Sequence, residues 1–379
     1  MSPRSRTLTF HANRLTIHAN RLDEEAVARV MGQPTPPSLG VTVSADLISG
    51  LIDCAARCGV PRARLTDMIK PHASAKPPST PPARYSGEHV LKLWDRIVRE
   101  TGDSIIGFRM ALVAEAKTFG VLGQILPRCA TVLEAYRQTA RYSALTSQGL
   151  FVSVARNADA LIASLAMPNL QPGEVSRTIM LWALTNLCLT PQRLARTPVR
   201  PTEVTCTFSS PGSAAMRVLG QHFPFKFDAA DNQVVFERHV GDIRIPSADS
   251  DLQTLLADVM DRHLATLGPA ASFEQGMLTV LRSMMNGNMP TLASLAQRSG
   301  MSQRTLQRRL AESNTSFQRL LRQVLHETSE ELLARGSLSH GEIAFLLGYS
   351  EESAFSRAYK SWTGRSPGDR SRGTGQRHI

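Results

Sequence analysis

The sequence predicts a multidomain protein: a mixed α+β N-terminal domain, then an all-α domain with two helix-turn-helix units joined by a connecting helix. Two observations predict this fold. Alternating apolar and polar residues, typical of strands, occur among helical segments as far as residue 237, whereas every periodic segment after residue 251 has helical spacing. Two C-terminal stretches also repeat each other at an offset of 48 residues. The chain has 379 residues, 42% of them hydrophobic, which is enough for two cores.

The predicted N-terminal domain covers residues 41–268 and follows an extension, residues 1–40, that we expect to be disordered. Its first helix is predicted from Leu47 and Leu51, which recur at helical spacing behind Ser44, a residue type that caps helix N-termini. The other predicted elements are helices at 87–100, 103–113 and 132–145, strands at 150–155, 160–166 and 203–208, a β-hairpin with strands 223–227 and 233–237, and a proline-rich loop at 70–83.

The two repeated stretches each have the pattern of a helix-turn-helix unit. A small residue in the first helix permits close crossing, a glycine permits a left-handed turn, and a serine can cap the second helix. In the predicted C-terminal domain, 269–379, the first unit spans 291–312 and the second spans 339–362. The matching residues are Leu295, Ala296, Gly300, Met301, Ser302 and Leu306 in the first unit, and Ile343, Ala344, Gly348, Tyr349, Ser350, Ala354 and Phe355 in the second.

The second helix of each unit is predicted to have an apolar side and a polar side. We expect Leu306 and Leu310 to face inward in the first unit, and Ala354, Ala358 and Trp362 in the second. The polar sides carry arginine and glutamine, which read base edges in a major groove. A charged helix face can also be merely solvated, but the duplicated turn pattern favours DNA contact. The outward residues are Gln303, Arg304, Gln307, Arg308, Glu352, Ser353, Ser356, Arg357 and Lys360.

The charge of the chain is unevenly placed. The net charge is +11, and 37 of the 43 basic residues are arginine, whose planar guanidinium binds phosphate oxygens in pairs. Residues 298–322 hold six arginines and one acid, Glu312, a net charge of +5, whereas residues 323–379 hold seven basic and seven acidic residues. We therefore expect the first unit to dominate phosphate affinity, and the second to make weaker or more sequence-dependent contacts.

From residue 295 to residue 367 this pattern resembles the AraC/XylS family of bacterial transcription regulators. The resemblance implies that the connecting helix places two recognition helices in successive major grooves, roughly 34 Å apart, and it adds Arg309 to the candidate DNA-binding residues. The chain departs from the family at Leu325, Ser329 and Arg370-Ser371. The matching segments are 295–296, 300–302, 305–310, 343–344, 347–350, 353–360, 362–364 and 366–367.

The upstream region resembles the arabinose-binding-type N-terminal domain of some members of that family, through residues 119–123, 131–135 and Arg141-Tyr142. This resemblance implies a small-molecule effector, amino-acid-like or fatty-acid-like, and a homodimer. Arg141 and Tyr142 could hold a carboxylate, or Arg141 could form an ion pair on the helix surface. The candidate effector-binding residues are Phe119, Tyr136, Arg141 and Tyr142.

Patterns for catalysis and metal binding fail on their structural context. The G-x-S-x-G pattern at 364–368 lacks a preceding strand, and a proline follows its serine. His326 and Glu327 begin a zinc pattern whose second histidine is replaced by Glu330. Gly120 and Gly123 lack the third glycine of a dinucleotide fingerprint. No enzymatic activity, cofactor or metal is expected.

Cytoplasmic location is expected. The longest apolar run, 179–189, is interrupted at Thr185 and Asn186 and is shorter than the roughly 18 residues that span a membrane. The N-terminal segment lacks the apolar centre of a signal peptide. Five scattered cysteines suit a reducing compartment.

These patterns predict a DNA-binding transcription regulator that responds to a small-molecule effector. Its expected partners are double-stranded promoter or operator DNA, the effector and a second copy of the chain, with RNA polymerase a further candidate. An effector-independent basic DNA-binding protein is one alternative. A small-molecule-binding protein or enzyme with an accessory DNA-binding domain is another. The sequence leaves open the effector, the operator, and the choice between activation and repression.

Overall fold

The structure is a computed structural model of the 379-residue chain. It describes residues 41–66, 83–168, 170, 172–267, 273–285, 287–299, 301–335 and 338–368. Four features of the sequence analysis lie outside the described residues: the extension 1–40, residues 70–82 of the proline-rich loop, Gly300, and Arg370-Ser371.

The chain divides into two compact units. The N-terminal unit comprises the described residues between 41 and 284 and between 290 and 327, and the C-terminal unit comprises the described residues between 285 and 289 and from Thr328 onward. The first predicted helix-turn-helix unit therefore belongs to the N-terminal unit, and the second to the C-terminal unit. The domain limits at 41–268 and 269–379 describe sequence pattern and stay a prediction.

Seven strands form two sheets in the described part of the chain, and both belong to the N-terminal unit. One sheet pairs two short strands, and the other has five strands in the order β3-β4-β7-β5-β6, antiparallel except for the parallel pair β5 and β6. In the β3–β4 pair, Val152 lies opposite Leu165 and Ser153 opposite Ser164. The strands are β1 (Thr42–Ser44), β2 (Arg84–Ser86), β3 (Phe151–Arg156), β4 (Ala160–Ala166), β5 (Glu203–Thr205), β6 (Phe225–Lys226) and β7 (Asn232–Glu237).

The predicted β-hairpin across residues 228–232 is wrong, because β6 and β7 lie on opposite sides of β5 and do not pair with each other. Asp228 adopts a left-handed φ of 54°, and its amide donates to the carbonyl of Phe208 at 3.2 Å, which carries the chain past the end of β5. The Asn232 Oδ1 accepts from the amide of Thr207 at 2.9 Å, so the predicted strand 203–208 ends early.

Fifteen α-helices account for most of the remaining described residues, and the three predicted early helices correspond to α3, α4 and α6. Ser44 caps α1 as predicted, since its Oγ accepts from the amide of Leu47 at 3.3 Å. The helices are α1 (Ala45–Arg57), α2 (Ala63–Thr66), α3 (Gly87–Thr101), α4 (Ile106–Val113), α5 (Val121–Ile125), α6 (Val132–Thr146), α7 (Glu174–Ala195), α8 (Ser213–His222), α9 (Ser250–Thr266), α10 (Phe273–Ser283), α11 (Leu292–Arg298), α12 (Gln303–Glu312), α13 (Phe317–Arg335), α14 (His340–Leu346) and α15 (Glu352–Thr363).

Helix α7 runs through the core of the N-terminal unit. Fourteen of its 22 residues are buried, including the whole apolar run 179–189, so the helix is enclosed on every side. Trp182 packs edge-on against Trp94 of α3, with ring centroids 6.1 Å apart. Among the described residues, no helix is both long enough and apolar enough to cross a membrane.

The closest approach to α7 is made by α4 at Gly107. A Cβ atom on Gly107 would lie 2.0 Å from the carbonyl oxygen of Thr178, far inside van der Waals contact. Only a glycine lets the two helices cross at this separation, and the backbone of a buried helix cannot move aside cheaply.

We expect the Gly107→Ala substitution to destabilise the protein by about 2 to 3 kcal/mol, because the new methyl group overpacks this helix crossing. The matched control is Gly220→Ala in α8, where a Cβ atom meets no atom within 4 Å. The control should gain about 0.5 to 1 kcal/mol, since alanine favours helix. Urea unfolding of both variants measures the difference, and equal midpoints would contradict the crossing.

Candidate functional site

The first helix-turn-helix unit is formed by α11 and α12. Ser302 caps α12 as predicted, its Oγ accepting from the amide of Thr305 at 3.2 Å. Leu306 and Leu310 are buried as predicted, at 0% and 1% exposure. The outward side of α12 presents Gln303, Arg304 and Gln307 to solvent, and Arg308 forms an ion pair of 2.5 Å with Glu312 one turn later.

Arg309 of α12 is buried against the N-terminal domain and does not face solvent with the other polar residues, being 4% exposed. Its Nε and Nη2 donate to Ser153 Oγ at 3.0 and 2.6 Å, and Nη2 also donates to the carbonyl of Ser164 at 3.2 Å. The guanidinium carbon lies 5.4 Å from the ring centroid of Phe273. Burial lowers the pKa of Arg309 to about 10, since the charged form is desolvated.

A second contact holds the other end of α12. The carboxylate of Asp231, in the loop before β7, accepts from the backbone amide of Ser302 and from Thr305 Oγ1, the latter at 3.3 Å. This places a negative charge at the N-terminal end of α12, where the helix dipole favours an anion. Both ends of the recognition helix therefore contact residues of the N-terminal domain.

The second helix-turn-helix unit is formed by α14 and α15 in the C-terminal unit. A capping box starts α14: Ser339 Oγ accepts from the amide of Glu342 at 3.2 Å, and the Glu342 carboxylate accepts from the amide of Ser339 at 2.8 Å. Gly348 provides the predicted turn at a φ of 83°, and a Cβ atom there would lie 2.4 Å from the amide nitrogen of Met289. The tight turn thus requires glycine both for its backbone angle and for space.

Two predictions for α15 are wrong in register. The residue before the helix is Glu351, which makes no side-chain cap, and not Ser350. The most buried residues are Phe355 and Tyr359, at 0% and 2% exposure, and their rings pack against each other with centroids 5.8 Å apart. The predicted inward residues lie at the edge of this face, half-buried: Ala354, Ala358 and Trp362.

The polar side of α15 has the composition that the sequence predicted. Glu352, Ser353, Arg357 and Lys360 are exposed, and Ser356 is half-buried. Ser353 Oγ donates to the carboxylate of Glu351 at 3.0 Å, which orders the start of the helix. Four of the five predicted residues are therefore accessible to a partner.

A separate cavity of about 1170 Å³ lies within the N-terminal unit. Its wall is mostly apolar, as in sites that take small organic molecules. Phe119 lies in this wall and stacks on Trp182, with ring centroids 6.1 Å apart. Apolar lining residues include Leu47, Leu51, Trp94, Leu122, Val152, Leu165, Ile179 and Leu187.

Arg193 at the end of α7 places a guanidinium in this wall. Its Nη1 donates to Asn186 Oδ1 at 2.9 Å and its Nη2 to the carbonyl of Ala111 at 2.5 Å. Burial lowers the pKa of Arg193. Both acceptors are neutral, so its charge has no carboxylate partner among the described residues. The carboxylates of the lining have basic partners: Glu88 pairs with Lys92, Asp95 with Arg99, Glu115 with Arg57 and Glu174 with Arg177.

Three of the four predicted effector-binding residues lie outside the lining of this cavity. Tyr136 is fully buried, and its hydroxyl donates at 2.7 Å to the carbonyl of Leu187, which lacks its helical donor because residue 191 is proline. Arg141 forms an ion pair of 2.7 Å with Asp261 of α9, and the Tyr142 hydroxyl donates to the same carboxylate at 2.9 Å. Burial, with this hydrogen bond, raises the pKa of Tyr142 to about 12.

Five residues of these sites were not predicted from the sequence: Asn186 and Arg193 in the cavity, and Ser153, Ser164 and Asp231 beside α12. Asn186 was visible as a polar residue inside an apolar run. The other four carry no local pattern, because their partners are distant in the chain.

Comparison with known proteins identifies two domain types along the chain. Residues 72–243 match the family model described as the arabinose-binding domain of AraC transcription regulator, N-terminal, and residues 295–372 match a helix-turn-helix domain model. The HTH-type transcriptional regulator Rv1395 of Mycobacterium tuberculosis is 28% identical over 291 residues, covering 75% of this chain and 82% of that protein.

Two proteins of Pseudomonas aeruginosa are also similar. The ornithine utilization regulator is 35% identical over 109 residues, which cover 28% of this chain and 31% of that protein. The crystal structure of the transcriptional regulator CdpR covers 82% of this chain and 97% of that chain, with a TM-score of 0.40 and 19% sequence identity.

The fold and these matches define a DNA-binding transcription regulator with an N-terminal ligand-binding domain. Within that class, the chain has an arabinose-binding N-terminal domain and a helix-turn-helix domain of the AraC type.

We expect Tyr136→Phe to destabilise the protein by about 1 to 3 kcal/mol, because it leaves the buried carbonyl of Leu187 without a donor. Tyr349→Phe is the control, since the Tyr349 hydroxyl forms no hydrogen bond within the part of the chain that the structure describes, and its loss should cost little. Thermal unfolding compares the two variants. A Tyr136→Phe protein as stable as wild type would contradict the structural role of this hydroxyl.

Proposed function

We propose that the protein is a sequence-specific transcription regulator whose N-terminal domain binds an apolar carboxylate and whose recognition helices α12 and α15 read DNA. It acts in the cytoplasm as a homodimer, with promoter or operator DNA and RNA polymerase as partners. The observation that carries the proposal is an unbalanced guanidinium in the wall of a large apolar cavity, in a chain with two exposed recognition helices.

The first recognition helix supports base readout through its exposed N-terminal half. Gln303, Arg304 and Gln307 are exposed on α12, and Arg304 forms no ion pair with any described residue. The N-terminal residues of such helices contact base edges. Bidentate contacts of glutamine with adenine and of arginine with guanine each discriminate against the wrong base. The proposed contacts of the second unit are Glu352, Ser353, Ser356, Arg357 and Lys360.

Phosphate affinity is proposed to come mainly from the first unit, where residues 298–322 carry a net charge of +5. Two of these arginines contribute less in the described arrangement, since Arg308 pairs with Glu312 and Arg309 is buried. The exposed Arg304 is thus the strongest candidate on α12 itself. Arg357 and Lys360 are the corresponding cations of α15.

We expect Gln307→Ala to lower the preference for a selected site over random DNA by about 1 to 3 kcal/mol, since one base contact is lost. Arg304→Ala should weaken binding more than Arg357→Ala and reduce the slope of affinity against salt concentration. The controls are Gln221→Ala in α8 and Arg200→Ala, both exposed residues outside the helix-turn-helix units. Fluorescence anisotropy over a range of salt concentrations measures both quantities.

Two results of that experiment would count against the proposal. A wild-type ratio of specific to random binding near unity would favour an effector-independent basic DNA-binding protein. A larger loss for Arg357→Ala or Ser356→Ala than for Arg304→Ala or Arg308→Ala would contradict the dominance of the first unit.

The effector proposal follows from the chemistry of the cavity. Burying a guanidinium against neutral acceptors is costly, and a carboxylate would repay that cost with a charge-assisted pair. The remaining wall is apolar and would accept a hydrocarbon chain. A fatty-acid-like effector satisfies both requirements. The ammonium of an amino acid would need an unpaired carboxylate, whereas the carboxylates that line the cavity, Glu88, Asp95, Glu115 and Glu174, each pair with a lysine or an arginine.

We expect hexadecanoate to quench tryptophan fluorescence, because Trp94 and Trp182, two of the three tryptophans, line the cavity. Arg193→Gln should weaken this binding about tenfold or more, as a charged hydrogen bond is lost. Arg196→Gln is the control: Arg196 lines the same cavity but is exposed, so affinity should change little. Hexadecanol, which lacks the carboxylate, should bind wild type and Arg193→Gln equally.

An amino-acid-like effector is the second candidate, favoured by the name of the ornithine utilization regulator among the relatives. Ornithine is therefore titrated in parallel. Binding of ornithine without binding of hexadecanoate would reverse the choice of effector class. Equal affinity of wild type and Arg193→Gln for hexadecanoate would show that Arg193 is not the anchor.

A further inference from the structure

Helix α12 is held against the N-terminal domain at both of its ends. One end of the helix is held by Asp231, through Ser302 and Thr305, and the other by Ser153 and Ser164, through Arg309. We name this pair of contacts the α12 latch: Asp231, Ser153, the carbonyl of Ser164 and the ring of Phe273 on one side, and Ser302, Thr305 and Arg309 on the other.

Both contacts of the latch oppose DNA binding electrostatically. The carboxylate of Asp231 lies at the N-terminal end of α12, where a recognition helix approaches the phosphates and bases of its groove. A carboxylate there repels phosphate. The buried Arg309 meanwhile withholds one of the six arginines of the basic segment 298–322 from the duplex.

The latch is built to open. The Arg309 guanidinium is almost completely removed from water, and its hydrogen-bond acceptors are a hydroxyl and a carbonyl, both neutral. Desolvation of a charge offsets much of what such contacts contribute, so docking is weakly favourable at best. A DNA phosphate offers the same guanidinium a full negative charge.

The latch also lies one layer of residues from the effector cavity. Ser143, Leu150 and Val152 line both that cavity and a smaller cleft of about 380 Å³ that contains Arg309. Val152 and Ser153 are neighbours on β3, and their partners Leu165 and Ser164 are neighbours on β4. Any shift of this strand pair against a bound ligand moves the acceptors of Arg309.

We propose that the α12 latch is an autoinhibitory contact that holds the first recognition helix in a DNA-weak state, coupled to ligand binding through β3 and β4. The effect of the latch on DNA binding rests on the proposed function. The docking of α12 can be measured without DNA or ligand. Only the undocked fraction binds DNA well, so the apparent affinity is reduced by that fraction.

The experiment uses full-length protein with two latch variants, Asp231→Asn and Ser153→Ala, and their combination. Asp228→Asn is the matched control: it removes the same charge from the same loop, at an exposed residue whose φ of 54° asparagine tolerates. Ser153→Ala changes no charge, so a gain in DNA affinity in that variant does not come from weaker electrostatic repulsion of DNA. Hydrogen exchange of residues 303–312 measures docking, and anisotropy with a duplex selected by wild type from a random pool measures affinity.

We expect each latch variant to speed exchange of the α12 amides and to raise DNA affinity without ligand by up to about tenfold, the size of one charged hydrogen bond. Asp228→Asn should match wild type in both measurements. Hexadecanoate should shift the DNA affinity of wild type and leave that of the double variant nearly unchanged, since linked equilibria lose their coupling when the shared element is broken.

The remaining outcomes overturn parts of the inference separately. Unchanged exchange in the latch variants would show that the docked contact is not populated. Faster exchange with unchanged DNA affinity would leave the latch as packing alone, while the proposed function stands. An absent hexadecanoate shift in wild type, or an equal shift in the double variant, would refute the coupling to the cavity. Failure of wild type to select any duplex would refute the proposed function, whatever the exchange result.

Discussion

The N-terminal unit depends on the burial of α7. This helix is enclosed by α3, α4 and the five-stranded sheet, and its crossing with α4 is so close that a carbonyl occupies the space of a Gly107 side chain. Burial on every side stabilises the helix through apolar area, but it also commits each polar group on it to an internal partner. The hydrogen-bond partners of α7 therefore include both core residues and residues of the candidate effector cavity.

Two polar groups of α7 show how the need for an internal hydrogen-bond partner can produce a binding site. Pro191 removes the donor of the Leu187 carbonyl, and the Tyr136 hydroxyl replaces it, which gives a buried tyrosine a structural purpose. Asn186 and Arg193 satisfy each other at the cavity end of the same helix. The first arrangement is complete within the protein, whereas the second leaves a charge that a ligand can balance.

The same physical situation recurs at α12. Arg193 and Arg309 are both desolvated guanidinium groups bound to neutral oxygen atoms, and burial lowers the pKa of both. The charge of a buried arginine with a carboxylate partner is balanced within the protein. A buried arginine without such a partner retains affinity for an external anion. In this chain the two anions proposed are a ligand carboxylate at Arg193 and a DNA phosphate at Arg309.

Local features of the fold were predictable because their causes are local. The cap at Ser302, the turn glycine Gly348 and the periodic helices depend on residues a few positions apart, so they can be read from the chain. The hairpin at 228–232 was misread because β5, distant in sequence, takes the position between β6 and β7. The inward face of α15 was misplaced because aromatic packing, and not small-residue spacing, decided it.

By itself, the sequence determined the early helices α3, α4 and α6, the two helix-turn-helix units and the polar faces of their second helices, since amphipathic periodicity and turn chemistry act over one or two turns of chain. Only the tertiary structure decided which arginines are accessible. Arg304 and Arg309 look equivalent in the sequence, yet one is exposed and the other is 4% exposed beneath Ser153. The physical reason is that desolvation depends on neighbours more than 100 residues away, and those neighbours carry no pattern that links them to α12.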